Sequence, residues 1–385
     1  MADVEVMSGS RSVATGVKLA DPDIIAAFPI TPQTEIVEDL STYIAAKEMQ
    51  SKFIKVDSEH SAMSACIGAS AAGARVFTAT SSHGLMYMAE TVYWAAHARL
   101  PMVMAVATRA MAAPWSILNE HTDFMIQQSS GWIQIMVEDN QEALDTTIQA
   151  FKIGEDSRLS LPVMVGLDGF ILTHTSMPVS KPSKDDVQKF LGKRMPAYAL
   201  DIDSPLTVGN VIDQNEWMEH RYKIFQAMQK AKKVIKEIAD GYSKISGRSY
   251  GLIDCYKCDD ADNLIITMGA SSGDAKAAVD SLRSEGIKAG ELRIRVMRPF
   301  PNEEIVEMMK NVKNVSIVER ALSVGIGNIL AHEIKSFVYD SGYKPFIKSY
   351  IAGLGGRDIT PADYSKIVKS TMKRQVGDEW VNLRS

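Results

Sequence analysis

The sequence predicts an α/β protein: a doubly wound, mostly parallel domain followed by a smaller three-layer α/β domain. Three observations predict this. Short apolar runs alternate with segments of helical spacing from Ile24 to Leu167. Some runs are apolar throughout, such as Met102 to Ala107, as expected for parallel strands buried on both faces. The alternation stops after Thr173 and resumes at Asn263, so a chain of 385 residues divides in two. The expected bounds are 1–240, including a linker helix, and 250–375.

The first strand is Ile24 to Phe28, ended by Pro29. Ile36 to Ala46 has helical spacing, and Phe53 to Val56 is the second strand. Glu59 to Ala72 is a helix rich in Ala, Ser and Met, with Gly73 where a C-cap sits. Val76 to Thr80 is the third strand, followed by a Ser-Ser-His-Gly turn and a helix from Leu85 to Ala98. Met102 to Ala107, Ile133 to Val137 and Pro162 to Leu167 complete the sheet. Ser180 to Gly209, with several prolines and no clear period, reads as a linker or surface excursion. Glu216 to Ile238 is a Lys-rich amphipathic helix facing a domain or a partner. The second domain opens with Leu264 to Gly269, a helix from Ala275 to Glu285, and a strand from Ala289 to Met297 closing at Arg298-Pro299-Phe300-Pro301. Asn314 to Val318 follows, then Glu319-Arg320 and a Gly325-x-Gly327 turn.

Composition excludes several classes. Hydrophobic residues make up 46% and charged residues 23%, as in ordinary globular chains. A net charge of −5 argues against nucleic acid or an anionic membrane surface as partner. No apolar run approaches the roughly 18–20 residues that span a bilayer, and no secretory signal opens the chain, so a soluble cytoplasmic protein is expected. The three cysteines, Cys66, Cys255 and Cys258, cannot make a disulfide scaffold. The last two form a CxxC, but a zinc or iron–sulfur site needs about four ligands. Two thiols ahead of a strand is the favoured reading.

In a doubly wound sheet, ligands bind outside the carboxyl ends of the strands. The loops after Phe28, Val56, Thr80 and Ala107 are therefore the candidates. In the first, Pro29 and Pro32 stiffen a turn that offers the Thr31 hydroxyl; a helix start capped by Thr31 or Thr34 is the structural alternative. In the second, Asp57-Ser58-Glu59-His60 puts two acids and an imidazole at a helix start. These either cap the helix or supply a buried carboxylate that shares a proton with a ligand nitrogen. Arg109, after the fourth strand, is a lone cation among small residues, suited to bidentate capture of a carboxylate. An ion pair with Glu120 or Asp123 is equally compatible with the sequence. A metal reading of His121 with Asp123 has too few ligands to stand. Taken together, a cation, a hydroxyl and an acid on one sheet edge match the needs of an oxoacid.

These segments resemble the alpha subunit, or N-terminal domains, of pyruvate:ferredoxin oxidoreductase and related 2-oxoacid:ferredoxin oxidoreductases. The matching stretches are FPITPQTE from Phe28, VDSEHSAMSACIGASAA from Val56 and ATSSHGL from Ala79. They continue with Ala98 to Arg109, NEHTDF and SSGWIQ within Asn119 to Gln134, RPFP from Arg298, and GLGGRDITP from Gly353. The likeness covers nearly the whole chain in family order. It implies a thiamine-diphosphate-binding domain of the pyrimidine type, then a domain of the transketolase C-terminal type. It further implies that Glu59 meets the aminopyrimidine ring. Thr31 and Arg109 would bind the substrate, and Pro29, Ser82 and His83 would line the cofactor pocket with Glu59.

The implied reaction is oxidative decarboxylation of a 2-oxoacid, pyruvate first among them, with coenzyme A and ferredoxin. A relative acting on phenylglyoxylate, 2-oxoisovalerate or oxalate, or a non-catalytic assembly subunit, is the alternative. The chain lacks the Gly-Asp-Gly loop that usually holds the cofactor's diphosphate through Mg²⁺; Gly273-Asp274-Ala275 with Asn302 is a decoy lacking the second Gly. Mg²⁺ and [4Fe-4S] clusters are therefore expected on beta-, gamma- and delta-type partner subunits. His83 stands where the family often has Gln, Glu120 replaces the Asp of a more usual Asn-Asp-His, and Trp115 adds an aromatic beside the substrate loop. These departures bear on the substrate's side chain.

Overall fold

The computed structural model describes residues 3–384. Two large sheets carry the architecture. In the first, the strand order in space is Val296–Arg298, Ile133–Met136, Val163–Asp168, Val103–Thr108, Val76–Thr80, Ile24–Ala27 and Lys52–Lys55. All neighbours are parallel except Val296–Arg298, which pairs antiparallel with Ile133–Met136. The central strands are buried along their whole length, which explains their unbroken apolar character. In the second sheet the order is Glu379–Trp380, Phe346–Ile351, Asn314–Glu319, Asn263–Thr267, Ala289–Ile294 and Ile253–Tyr256, the last antiparallel.

Several elements differ from the expectation for physical reasons. The stretch expected as one strand from Ala289 to Met297 is two, broken at Arg295, and each half belongs to a different sheet. The helix expected over Leu85 to Ala98 is Ser82–Tyr87 and Ala89–His97, separated at Met88. The excursion from Ser180 contains a helix, Lys184–Leu191, capped by Ser183. Asp3–Ser8 pairs antiparallel with Ser176–Lys181 in a small third sheet.

The long helix is Gln214–Ser246, so it runs past residue 240. Ile224, Ala227, Ala231, Val234, Ile238 and Tyr242 recur at helical spacing and join the core of the first sheet. The two sheets are also tied by buried charge. Glu142, on the helix Asn140–Glu155, receives Arg293 at 2.8 Å and Arg295 from the strand break. All three side chains are almost fully buried. Burial alone would raise the Glu142 carboxyl, but the two guanidiniums outweigh it and hold it low. Among the described residues, no helix is long and apolar enough to cross a membrane.

Candidate active site

In the first sheet the chain winds from Ile24–Ala27 to Lys52–Lys55 on one side and to Val76–Thr80 on the other. That reversal marks the crevice where such folds bind ligands. All four candidate loops rim it.

The turn after the first strand exposes Pro29 and Thr31. Neither Thr31 nor Thr34 caps the helix Thr34–Ala45; its N-cap is Gln33, without a side-chain cap bond. Gln33 braces the turn instead. It is fully buried, its Oε1 accepts the Ile30 N–H at 3.2 Å, and its Nε2 donates to the Ala79 carbonyl at 2.9 Å. Nothing in the local sequence around Gln33 signals this role. The Thr31 hydroxyl makes no hydrogen bond within the described residues, while its carbonyl accepts from Arg109 Nη1 at 2.7 Å.

At the helix Glu59–Ala71, Ser58 is the cap, accepting the Ser61 N–H at 3.2 Å. Asp57 is taken by the Ser61 hydroxyl at 2.6 Å. Capping is therefore supplied without Glu59. Its side chain is buried, and among the described residues it makes neither a hydrogen bond nor an ion pair. Gly84 lies against it. A Cβ there would sit 2.6 Å from Glu59 Oε1 and 2.5 Å from Thr80 Oγ1, a buried hydroxyl that also has no partner. Thr80 and Gly84 were not singled out from the sequence; the glycine after the Ser-Ser-His turn was their only signal. A buried carboxylate, an unpartnered hydroxyl and a bare glycine form a cradle suited to a flat heterocycle with donor and acceptor edges.

Ser82 is held in the left-handed region, φ 46°, unusual for a residue with a side chain. Its N–H donates to Asp123 Oδ2 at 2.8 Å and its hydroxyl to the Ala110 carbonyl at 2.8 Å. His83 Nε2 accepts the Ala112 N–H at 3.2 Å, and Nδ1 lies 3.2 Å from the Ser82 hydroxyl. The accepting Nε2 places the proton on Nδ1. Both His83 nitrogens are thus engaged within the chain, so this residue offers a cofactor its ring face rather than a free nitrogen. Trp115 packs beside that ring, centroids 5.1 Å apart, and is itself exposed.

Arg109 does not pair with Glu120 or Asp123. Glu120 accepts the Thr122 hydroxyl at 2.6 Å. Asp123 accepts backbone amides, including that of Arg109 at 3.1 Å. The Arg109 side chain is 5% exposed, its Nε has no acceptor, and no carboxylate lies within ion-pair distance among the described residues. Burial pulls the guanidinium below its ordinary value, with Asp123 partly opposing. A buried guanidinium without its own counter-ion is suited to receive an anion.

His121 turns away from Asp123 and meets Asp168 at 2.9 Å, so the two do not form a metal site. Asn119 Nδ2 donates to the same Asp168 oxygen at 2.6 Å, and the Ala270 N–H of the second sheet reaches Oδ2 at 2.9 Å. Among the described residues, no three metal-ligating side chains converge. Asp274 lies in the field of Arg320 and Asp358, whereas Asn302 is held by Lys232 at 2.5 Å, so the decoy pair is not assembled. The GLGGRD segment braces the substrate-side loop. Gly356, φ 75°, donates to the Asn119 carbonyl at 2.8 Å, and a Cβ there would meet Leu118 Cβ at 2.7 Å.

Comparison with known proteins gives the family of the chain. Residues 15–240 match the family described as pyruvate flavodoxin/ferredoxin oxidoreductase, thiamine diphosphate-binding. Residues 261–364 match pyruvate:ferredoxin oxidoreductase core domain II. The chain is 44% identical to the pyruvate synthase subunit PorA of Methanothermobacter thermautotrophicus, covering 99% of this chain and 98% of that one. It is 43% identical to the ketoisovalerate oxidoreductase subunit VorA of Pyrococcus abyssi, covering 99% and 98%. Its fold is similar to that of the 2-oxoglutarate:ferredoxin oxidoreductase of Magnetococcus marinus, with a TM-score of 0.72 at 21% identity, over 96% of this chain and 66% of that one.

Proposed function

Because the chain belongs to the pyruvate:ferredoxin oxidoreductase family, as the alpha subunit of a 2-oxoacid:ferredoxin oxidoreductase, we propose that it binds the pyrimidine end of thiamine diphosphate and the carboxylate of pyruvate on the edge just described. The observation that carries this reading is the pairing, on one edge, of two buried charged groups without counter-ions: the Glu59 carboxylate and the Arg109 guanidinium.

Bound thiamine diphosphate supplies a carbon nucleophile and an electron sink. The Glu59 carboxylate would share a proton with the pyrimidine nitrogen across one hydrogen bond. Thr80 and Gly84 would leave room for the ring beside Glu59. Pro29 and the faces of Ser82 and His83 enclose it. Arg109 takes the substrate carboxylate through its fork and so aims the 2-oxo group. The Thr31 hydroxyl, free at the mouth, donates to the same carboxylate or to the oxygen that gains charge. The likeness to pyruvate synthase subunits favours a small oxoacid. The likeness to a ketoisovalerate subunit keeps a branched oxoacid as the second reading.

Within this reading the two working units are 1–240 and 250–375. Coenzyme A and ferredoxin are the co-substrates. Mg²⁺ and [4Fe-4S] clusters belong to beta-, gamma- and delta-type partners, since this chain has no Gly-Asp-Gly loop and three cysteines. Exposed Trp94 and Trp217 line one groove, a surface such a partner would cover. The assembly works in the cytoplasm.

The test is oxoacid-dependent reduction of a low-potential viologen dye by the assembled complex, with pyruvate, 2-oxoisovalerate, 2-oxoglutarate, phenylglyoxylate and oxalate compared, with and without coenzyme A. Pyruvate should support the fastest reduction. No activity with any oxoacid, or full activity in Glu59→Gln, would return the chain to the role of a non-catalytic assembly subunit.

A further inference from the structure

The proposed cofactor pocket and the proposed carboxylate receptor sit on different loops, one after Val76–Thr80 and one after Val103–Thr108. The two strands are paired up to Thr80 and Val106, but the ladder stops short of the loops, and an attack geometry tolerates little error between cofactor and substrate. Something must fix one loop against the other.

Asp123 does this. It lies in the short helix Thr122–Met125 and is fully buried. Its Oδ2 accepts the Ser82 N–H at 2.8 Å and the Arg109 N–H at 3.1 Å, and its Oδ1 accepts the Phe124 N–H at 2.8 Å. One oxygen thus spans both loops. Two further bonds close the same junction: Ser82 hydroxyl to Ala110 carbonyl, and Ala112 N–H to His83 Nε2. Ser82 makes its bond to Asp123 with its backbone in the left-handed region, φ 46°, and the bond offsets part of that backbone cost. Three amides on two oxygens need a carboxylate; an amide side chain turns one acceptor into a donor and must leave at least one N–H unmet.

We propose that Asp123 is a positioning residue that locks the Arg109 turn to the Ser82–His83 turn, so that the oxoacid-carboxylate receptor and the wall of the cofactor pocket behave as one rigid body. The proposal rests on Arg109 being the receptor. Asp123 touches neither ligand in this assignment; it acts through the two backbones and through its charge near the Arg109 guanidinium.

The test uses the assembled complex with its partner subunits, as wild type, Asp123→Asn and Arg109→Ala. Three quantities are read: the thiamine diphosphate dissociation constant, the KM and kcat for pyruvate, and hydrogen exchange of peptides containing Ser82 and Arg109. In Asp123→Asn, the dissociation constant and KM should each rise about tenfold or more, with kcat falling less than KM rises. The two amides should lose protection together while both sheets keep theirs.

Protection lost at both amides with affinity and KM within about twofold of wild type would overturn the proposal, as would loss confined to one amide. Exchange speeding up across both sheets would also overturn it, by making Asp123 a fold-stabilising residue only. Should Asp123→Asn fail to assemble, the wild type decides under increasing denaturant: one shared opening free energy for the two amides supports the lock, and two distinct ones refute it. Arg109→Ala separates the two levels of argument. An unchanged KM there refutes the receptor itself, whereas a raised KM beside a silent Asp123→Asn refutes the lock alone.

Discussion

At the carboxyl ends of the first sheet, Pro29 and Thr31 face outward, and Glu59 and Arg109 lie buried without ion-pair partners among the described residues. At the carboxyl ends of the second sheet the acids are largely engaged. Glu319 accepts the amides of Ile329, Leu330 and Ala331 at 2.9, 2.8 and 2.7 Å. Glu291 accepts the hydroxyls of Thr267 and Ser272. Arg320, without a direct ion pair, lies in the field of Asp168, which the first sheet inserts beside the Ala270 amide. The two edges differ in how the chain meets its acids: amides and hydroxyls satisfy Glu319 and Glu291, whereas Glu59 has no hydrogen-bond donor among the described residues. An acid that the chain satisfies is structural; one left without a donor is open to a ligand.

The sharpest way to break this comparison is to neutralise a group on the first edge. Glu59→Gln should lower oxoacid-dependent dye reduction by about a hundredfold or more, with the melting temperature nearly unchanged. A variant that keeps its activity, or that melts far earlier, would place Glu59 with the structural acids.

Next in size is a structural carboxylate. Glu142→Ala leaves Arg293 and Arg295 buried without their shared acid and should destabilise the chain by about 3–5 kcal/mol, read by denaturant unfolding. A smaller loss than Lys313→Ala, whose pair with Asp262 is exposed and worth at most about 1 kcal/mol, would contradict the burial argument.

Two glycines sharpen the contrast further. Gly84→Ala places a methyl against Glu59 and Thr80, whereas Gly269→Ala, at φ 72°, places one 2.3 Å from Asp168 Oδ2. Each should destabilise by about 1–3 kcal/mol. Only Gly84→Ala should also weaken thiamine diphosphate binding, measured by titration of the stripped complex. Equal weakening in both would erase the distinction between the edges.

The smallest effect is a pH dependence on the second edge. Burial pushes Glu319 up to about 7 from 4.5, with the three amides opposing. A carboxyl whose folded value lies above its unfolded one is protonated preferentially in the fold. Its contribution is present below about 4.5 and is lost as pH rises through about 7. Wild type should therefore lose stability relative to Glu319→Gln across that window and run parallel to it above. Parallel urea midpoints from pH 4.5 to 7 would show that Glu319 ionises freely in the fold.

Strands such as Val76–Thr80 and Val103–Thr108 were legible because burial on both faces demands apolar residues throughout. Glu59, Thr31 and Arg109 were legible as loop residues at strand ends, and the family motifs assigned their roles. Gln33, Thr80 and Asp123 were not, because each acts through a partner distant in sequence, such as the Ala79 carbonyl or the Ser82 amide. Nothing in a local window distinguishes Asp123, which binds backbone, from an acid that would pair with Arg109. The strand break at Arg295 was hidden for the same reason: its cause, Glu142, lies 153 positions earlier.

The short strand Val296–Arg298 lends one sheet an edge that is encoded among the residues of the other. Severing the chain after the long helix would therefore strip Ile133–Met136 of its outer neighbour and present a row of bare amides to solvent. The halves are interlaced, not strung in series. Co-expressed as two pieces they should find one another by fragment complementation, and expressed alone the first should aggregate through that open edge. Insertions that leave both sheets whole belong elsewhere, in the excursion between Gly192 and Asp213.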